Sequence, residues 1–335
     1  MSSIGQVAPD RAPEGFRSGR ALARTAIGWG VALALLAWLL RVVRWTEVGE
    51  VLALAPPWAW PLAAAGICAS HVLRGLRIHA ELSRRHRVTR WACLRLTLLH
   101  NAAVNLVPLR GGEAAYPLLA QRLGVPFGRA LASRVWIRAQ DALLLALFAV
   151  ALLPGLSPWV KATLAAAGLG AVLLAIAALR RALARSGAAT PRSSPAGAAV
   201  AALSALTEAP RHGVSGWLYG AGSWAVKLGA ITFLLSALAG LPAAGAGAGA
   251  VAGELAAVLP LQGPAGFGTY EAGVWAGTAV RGGAGLAVAA PAVVVHLFAL
   301  AVALAAAAVA WIGGGARRAD RVSFAPALPA ESPRA

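Results

Sequence analysis

Charge is scarce in this chain: 13% of its 335 residues are Asp, Glu, Lys or Arg, where soluble domains carry about 25%. Cysteine is scarcer still. Cys68 and Cys93 lie within or beside apolar segments and form no Cys-x-x-Cys, so neither a disulfide framework nor a thiolate metal site is expected. Gly-x-Ser-x-Gly, His-Glu-x-x-His and the Walker pattern are all missing. That removes the usual signatures of a serine hydrolase, a zinc protease and a P-loop nucleotidase. His79 and His86 flank no metal-ligand spacing, and Gly266-Phe-Gly268 is no dinucleotide fingerprint, because no strand precedes it. No cofactor and no metal are expected.

What the chain has in quantity is apolar sequence, 59% of residues, in recurrent charge-free runs. That defines a polytopic membrane protein. The net charge of +18 does not imply nucleic acid here, because the basic residues sit in loops between apolar runs, as on the cytoplasmic side of membrane proteins.

A bilayer takes about 20 apolar residues per helix. After a polar N-terminus (1–20), residues 23–40 fit a first helix, retained because no small-residue cleavage site follows Arg24. Residues 51–73 fit a second. The run Leu96–Leu109 holds only 14 residues between Arg95 and Arg110, too short to cross comfortably. With the piece after Gly111-Gly112 it predicts a re-entrant helical hairpin over 94–123. Spans follow at 135–153 and 161–179, then a loop at 180–213 and a span at 217–240. The Gly-Ala stretch 243–253 suits either a linker or close helix packing. Residues 250–262 and 269–281 predict a second hairpin, 284–312 a last span, and 316–335 a polar tail.

The predicted fold is thus all-α: six spanning helices plus two re-entrant hairpins in one domain (21–315). Its halves, about 21–153 and 159–313, run in opposite directions, as in inverted-repeat transporters. Pro-x-x-Gly (Pro108 to Gly111, Pro260 to Gly263) is their shared local pattern. With both breaks re-entrant, basic residues divide 22 against four between the two sides. That places both termini in the cytoplasm. Eight plain spans would keep most of these sides, but the short third run favours the hairpins.

Candidate site residues lie at and around the breaks. Broken helices at membrane depth are tolerated only where they are buried in protein or line a cavity. Pro108, Gly111 and Gly112 make the first break, Pro264, Gly266 and Gly268 the second. Glu113 either steadies a helix N-terminus or acts in transport. Arg110 either snorkels to the interface or holds a phosphate through its planar fork. Glu271 either pins the second break or takes part in coupling, with Thr269 a candidate N-cap. Arg134, Arg138 and Asp141 share one helix face. Either Arg138 pairs with Asp141 within the helix, or Arg134 or Arg138 reaches Glu113 or a lipid phosphate. Lys227, deep in its span, needs a partner such as Glu254 or Glu271. Asn105 shares a face with Asn101, which suits helix-to-helix hydrogen bonding. His71, His100 and His296 are expected to be packed or hydrogen-bonded. Trp45, Trp58, Trp60, Trp91 and Trp159 are expected in the interfacial belt.

In sequence order, Asn105…Pro108-x-Arg110-x-Gly112-Glu113, Arg138-x-x-Asp141 and Pro264-x-Gly266-x-Gly268-x-x-Glu271 resemble the transmembrane region of lysylphosphatidylglycerol synthases and its stand-alone flippase-like relatives. The resemblance covers about residues 20–315. It implies a bacterial inner-membrane protein that moves lipid between leaflets. Synthases of this type carry a soluble transferase domain after the membrane part; the short tail here does not imply synthase activity. A basic residue that often follows Gly-Glu by three is Tyr116 in this chain, so headgroup preference does not carry over. The expected function is non-enzymatic translocation of an amphipathic, anionic lipid. A membrane enzyme acting on a lipid phosphate or acyl group, or a lipid-presenting partner of a synthase, are the rivals. Membrane lipids are the expected partners, with a second copy of the chain or a lipid-synthesis enzyme as further candidates, and no nucleic acid.

Overall fold

The computed structural model describes residues 45–107, 111–185, 214–258, 264–282 and 285–316. Among them the secondary structure is helical throughout. The helices are α1 (Trp45–Leu54), α2 (Ala59–Leu82), α3 (Arg90–Leu106), α4 (Ala115–Gln121), α5 (Phe127–Leu152), α6 (Pro158–Arg185), α7 (Val214–Ala239), α8 (Ala243–Val258), α9 (Thr269–Ala279) and α10 (Ala289–Ala316). Within the described residues, Phe127–Leu152, Val214–Ala239 and Ala289–Gly313 are long and apolar enough to cross a membrane. The span expected at 23–40, Pro108, Arg110, Pro260 and residues 186–213 of the expected loop lie outside the described residues; the first part of that loop, 180–185, is not a loop but continues α6 to Arg185.

Prolines set the boundaries. The predicted span 51–73 is interrupted, because Pro56 and Pro57 lack N–H donors and end α1 at Leu54. Its second part does not stop at Arg74. α2 continues to Leu82 and carries both Arg74 and Arg77. Val107, just before Pro108, is extended (φ −92°, ψ 118°) and ends α3, as residues preceding proline tend to be. Leu153 does the same before Pro154 at the end of α5. At its start α3 is capped by Thr89, whose Oγ1 accepts from the Ala92 N–H at 3.1 Å.

Small residues let the helices approach. α2 crosses α7 most closely at Gly66, where a Cβ would stand 2.8 Å from the Ala230 Cβ. The Gly-Ala stretch 243–253 is a packing surface, not a linker. Cβ atoms on Gly273 and Gly277 of α9 would fall 2.6 and 2.3 Å from the carbonyl oxygens of Ala252 and Ala248. α8 and α9 therefore run antiparallel, backbone on backbone. The chain also doubles back at the first break: a Cβ on Gly112 would lie 2.1 Å from the Ala103 carbonyl.

The main apolar core joins α1, α2, α5, α7, α8, α9 and α10; a second, around Tyr116, joins α2, α3, α4 and α5. Packing between elements is paired. α3 touches α10 as α8 touches α5; α4 touches α5 as α9 touches α10; α2 touches α3 as α7 touches α8. At one end of the bundle Lys161 Nζ donates to the Ala151 carbonyl at 2.8 Å, and Arg281 Nε to Leu152 at 2.9 Å. Both cations sit on the exposed carbonyls of the α5 C-terminus, where the helix dipole favours them.

Candidate functional site

Three polar clusters interrupt this apolar packing. The first surrounds Glu113, which lies in a 3₁₀ turn (Gly111–Ala114) leading into α4. Arg134 Nε donates to its Oε2 at 2.8 Å, and Arg138 Nη2 donates to its Oε1. The four-residue spacing of the arginines puts them one turn apart on α5. His100 Nε2 lies 3.7 Å from Glu113 Oε2. The buried Tyr116 ring packs edge-on against His100 and 5.7 Å beneath the Arg134 guanidinium, with its hydroxyl 3.3 Å from Ser133 Oγ. The side chains of Arg138 and Glu113 keep 29% and 26% of their surface exposed, so this ion pair is less enclosed than the next.

The second cluster, between α2, α5 and α7, is closed. Asp141 does not pair with Arg138. Its Oδ1 accepts from Arg77 Nη1 at 2.6 Å and from the Trp224 indole N–H at 2.9 Å. Arg77 Nη2 donates to Gln140 Oε1 at 2.7 Å and to the Ile137 carbonyl at 3.2 Å. Side-chain exposures of 3% for Arg77 and 7% for Asp141 make this a buried pair, held through both terminal nitrogens of Arg77 while its Nε–H has no partner. The Arg74 guanidinium lies 4.5 Å over the Trp224 ring. Beside it Lys227 Nζ is 2.6 Å from the Glu254 carboxylate, one of the two partners expected for it. His71 is buried there with both ring nitrogens unpartnered.

The third cluster closes the second break. Pro264–Gly266 form a 3₁₀ turn that packs against α3. Ala265, Gly266 and Gly268 all have positive φ (52°, 87° and 82°), a region that non-glycine residues occupy only at a cost. α9 starts at Thr269 with Gly268 as its N-cap; Thr269 is thus not the cap, and its Oγ1 donates to the Gly266 carbonyl at 2.9 Å. Glu271 Oε2 accepts from the Gly268 N–H at 2.7 Å. Glu271 Oε1 is 2.7 Å from His296 Nδ1, and His296 Nε2 is 3.0 Å from the Ala265 carbonyl. The rings of Phe267 and Tyr270 each lie 4.5 Å from the imidazole, tilted against it.

Of the candidates, Glu113, Arg134 and Arg138 come together; Asp141 and Lys227 belong to the neighbouring closed cluster; Glu271 stands at the other break. Asn105 is half-buried in the last turn of α3, outside these bonds. Arg77, Trp224 and His296 were not singled out as site residues. Arg77 falls beyond the span predicted at 51–73, although an Asp within a span demands a partner.

Apolar helices of membrane length, with ion pairs held between them, define an integral membrane protein. The model of the lysylphosphatidylglycerol synthase transmembrane region matches residues 25–308, and the chain belongs to that family. No curated protein and no solved structure matches it significantly.

Proposed function

We propose that this protein translocates an anionic lipid across the bacterial inner membrane without chemically altering it. One observation carries the reading. Glu113 holds two arginines at a break, while Asp141 and Glu254 each hold a single cation at salt-bridge distance. The first break thus has one positive charge more than its carboxylate balances, on the less enclosed pair, among apolar helices. An arginine fork matches a phosphate as well as a carboxylate. A headgroup phosphate exchanging with Glu113 on Arg134 and Arg138 would keep both guanidinium groups paired with an anion, which is what a low-barrier passage needs.

The two breaks are re-entrant hairpins of an inverted repeat in this reading, entering from opposite sides. Support comes from the paired packing, in which each half's hairpin meets the other half's last helix. The basic loop 83–89 and both termini are cytoplasmic, as the charge division requires; labelling of an Arg84→Cys variant from the periplasmic side of intact cells would overturn this.

The central test is reconstitution in liposomes with headgroup-labelled phospholipids. Leaflet exchange that depends on the protein supports translocation. Chemical conversion of the lipid would instead make the same carboxylates an enzyme's acid and base. Neither outcome would leave a lipid-presenting partner of a synthase.

A further inference from the structure

His296 is placed between two acceptors. A backbone carbonyl has no proton to give, so the Nε2 contact with Ala265 requires His296 to donate there. The Nδ1 contact with Glu271 Oε1 then needs a second proton. It sits on the imidazole, making an imidazolium with a carboxylate, or on Glu271, making a neutral acid with a neutral ring. Both forms hold the same number of protons, and the pair is neutral as a whole.

We infer that Glu271 and His296 form a proton-binding site, and that its proton decides whether the second break is tied to α10. With the proton bound, His296 serves both partners. When the proton leaves to water, a neutral imidazole with one N–H remains, facing one carboxylate and one carbonyl. It can donate to only one of them, and the other tether is lost. Either loss falls on Ala265–Gly268, the segment with three left-handed residues, whose conformation persists only while its surroundings hold it. Release of the proton therefore loosens the turn that packs against α3.

The field at the pair has several sources. Tyr270 lies on the imidazole, its hydroxyl buried and unpartnered. Glu254 on α8 is bonded to Lys227 of α7. α10 also packs against α1, α2, α3 and α7; these carry Glu47 and Glu50 (α1), His71, Arg74, Arg77, His79 and Glu81 (α2), Arg90, Arg95 and His100 (α3), and Tyr219 and Lys227 (α7). The inference goes beyond lipid translocation and does not depend on it.

The test uses the full chain in bilayers with ¹⁵N-labelled histidine, titrated between about pH 5 and pH 9, the range where imidazoles ordinarily change charge. The His296 resonances are identified by their disappearance in His296→Gln. The wild type is expected to lose one proton from the His296–Glu271 pair across this range. Hydrogen-exchange protection of residues 264–268, corrected for the intrinsic pH dependence of exchange, is expected to fall at least tenfold in parallel. Glu271→Gln removes the carboxylate that shares the proton, and should make protection independent of pH. His296→Gln, which keeps a donor for Ala265, should do the same, and serves if Glu271→Gln fails to fold. The inference is overturned if the wild-type pair holds a constant proton count, if protection does not follow the titration, or if both variants keep the wild-type pH response. Protein that titrates in this way yet moves no lipid would sink the translocation proposal and leave the proton site standing.

Discussion

At each break a carboxylate reaches a side chain 25 residues further along the chain, Glu113 to Arg138 and Glu271 to His296. In both cases the partner sits on the long helix that follows the break, α5 or α10. The geometry is the same and the chemistry differs. The first break holds guanidinium groups that stay charged at any physiological pH. The second holds an imidazole, the one side chain whose charge ordinarily changes in that range. The same 25-residue offset has thus put a fixed charge at one break and an imidazole at the other, which suits one for holding an anion and the other for answering to protons.

The largest expected effect lies between the breaks. Arg77→Ala leaves Asp141 as a buried, uncompensated charge, a loss of about 3–5 kcal/mol. Thermal unfolding in detergent should register it, and lipid exchange should fail with the fold. A smaller loss would mean that Asp141 finds another counter-charge when Arg77 is gone. Next come Arg134→Lys and Arg138→Lys, which keep the charge and lose the fork. Lipid exchange should drop on the order of 10–100-fold, the worth of about 1.5–3 kcal/mol of charge-assisted hydrogen bonding, while melting temperature changes little. Arg138→His would make the first break resemble the second. Its imidazole is cationic only below about pH 6.5, so exchange should persist in acid and fall as pH rises, where wild-type Arg138 imposes no such limit.

The glycines separate the breaks by mechanism. A Cβ on Gly112 meets the Ala103 backbone, whereas one on Gly268 meets nothing within 4 Å but must adopt φ +82°. Gly112→Ala should therefore cost about 1–3 kcal/mol by overpacking and distort the α3–α4 turn. Gly268→Ala should cost about 1–2 kcal/mol in backbone conformation alone, visible as reduced protection confined to 264–268. Equal, local effects in both would erase the distinction.

The smallest effect is a control on pH. His86 Nε2 lies 3.3 Å from Arg129 Nη1; arginine can only donate, so the ring accepts and is neutral. Burial, then the charges of Arg129 and Arg85, hold its pKa below the usual 6.5. The unfolded chain thus takes up the proton first. The contribution is present above about pH 6.5 and is lost as pH falls below it. His86→Gln should flatten a slight acid-side fall in melting temperature and leave the pH response of residues 264–268 untouched. If it abolishes that response, the sensor is the basic loop and not the second break.

Hydropathy made the apolar helices legible, and the four-residue spacing of Arg134 and Arg138 beside a Gly-Gly-Glu break made the first cluster legible. Pro56-Pro57 was an available signal for the interruption of 51–73, masked because the run carries no charge. Arg77 was not legible. Hydropathy treats an arginine as the end of a span, and only a partner 64 residues away lets α2 carry it into the interior. His296 has no motif around it, although the 25-residue offset from a break carboxylate, once seen at Arg138, leads straight to it.

The glycine contacts of α8 and α9 restrict how this antiparallel pair moves. Backbone resting on backbone at Gly273 and Gly277 leaves no side chains to yield by small amounts. One arm cannot creep past the other; the next register that again seats small residues opposite carbonyls is a full turn away, about 5.4 Å. The arms travel together as one strut, and any movement is concentrated at its tip, where Ala265 and Gly268 make their bonds to His296 and Glu271.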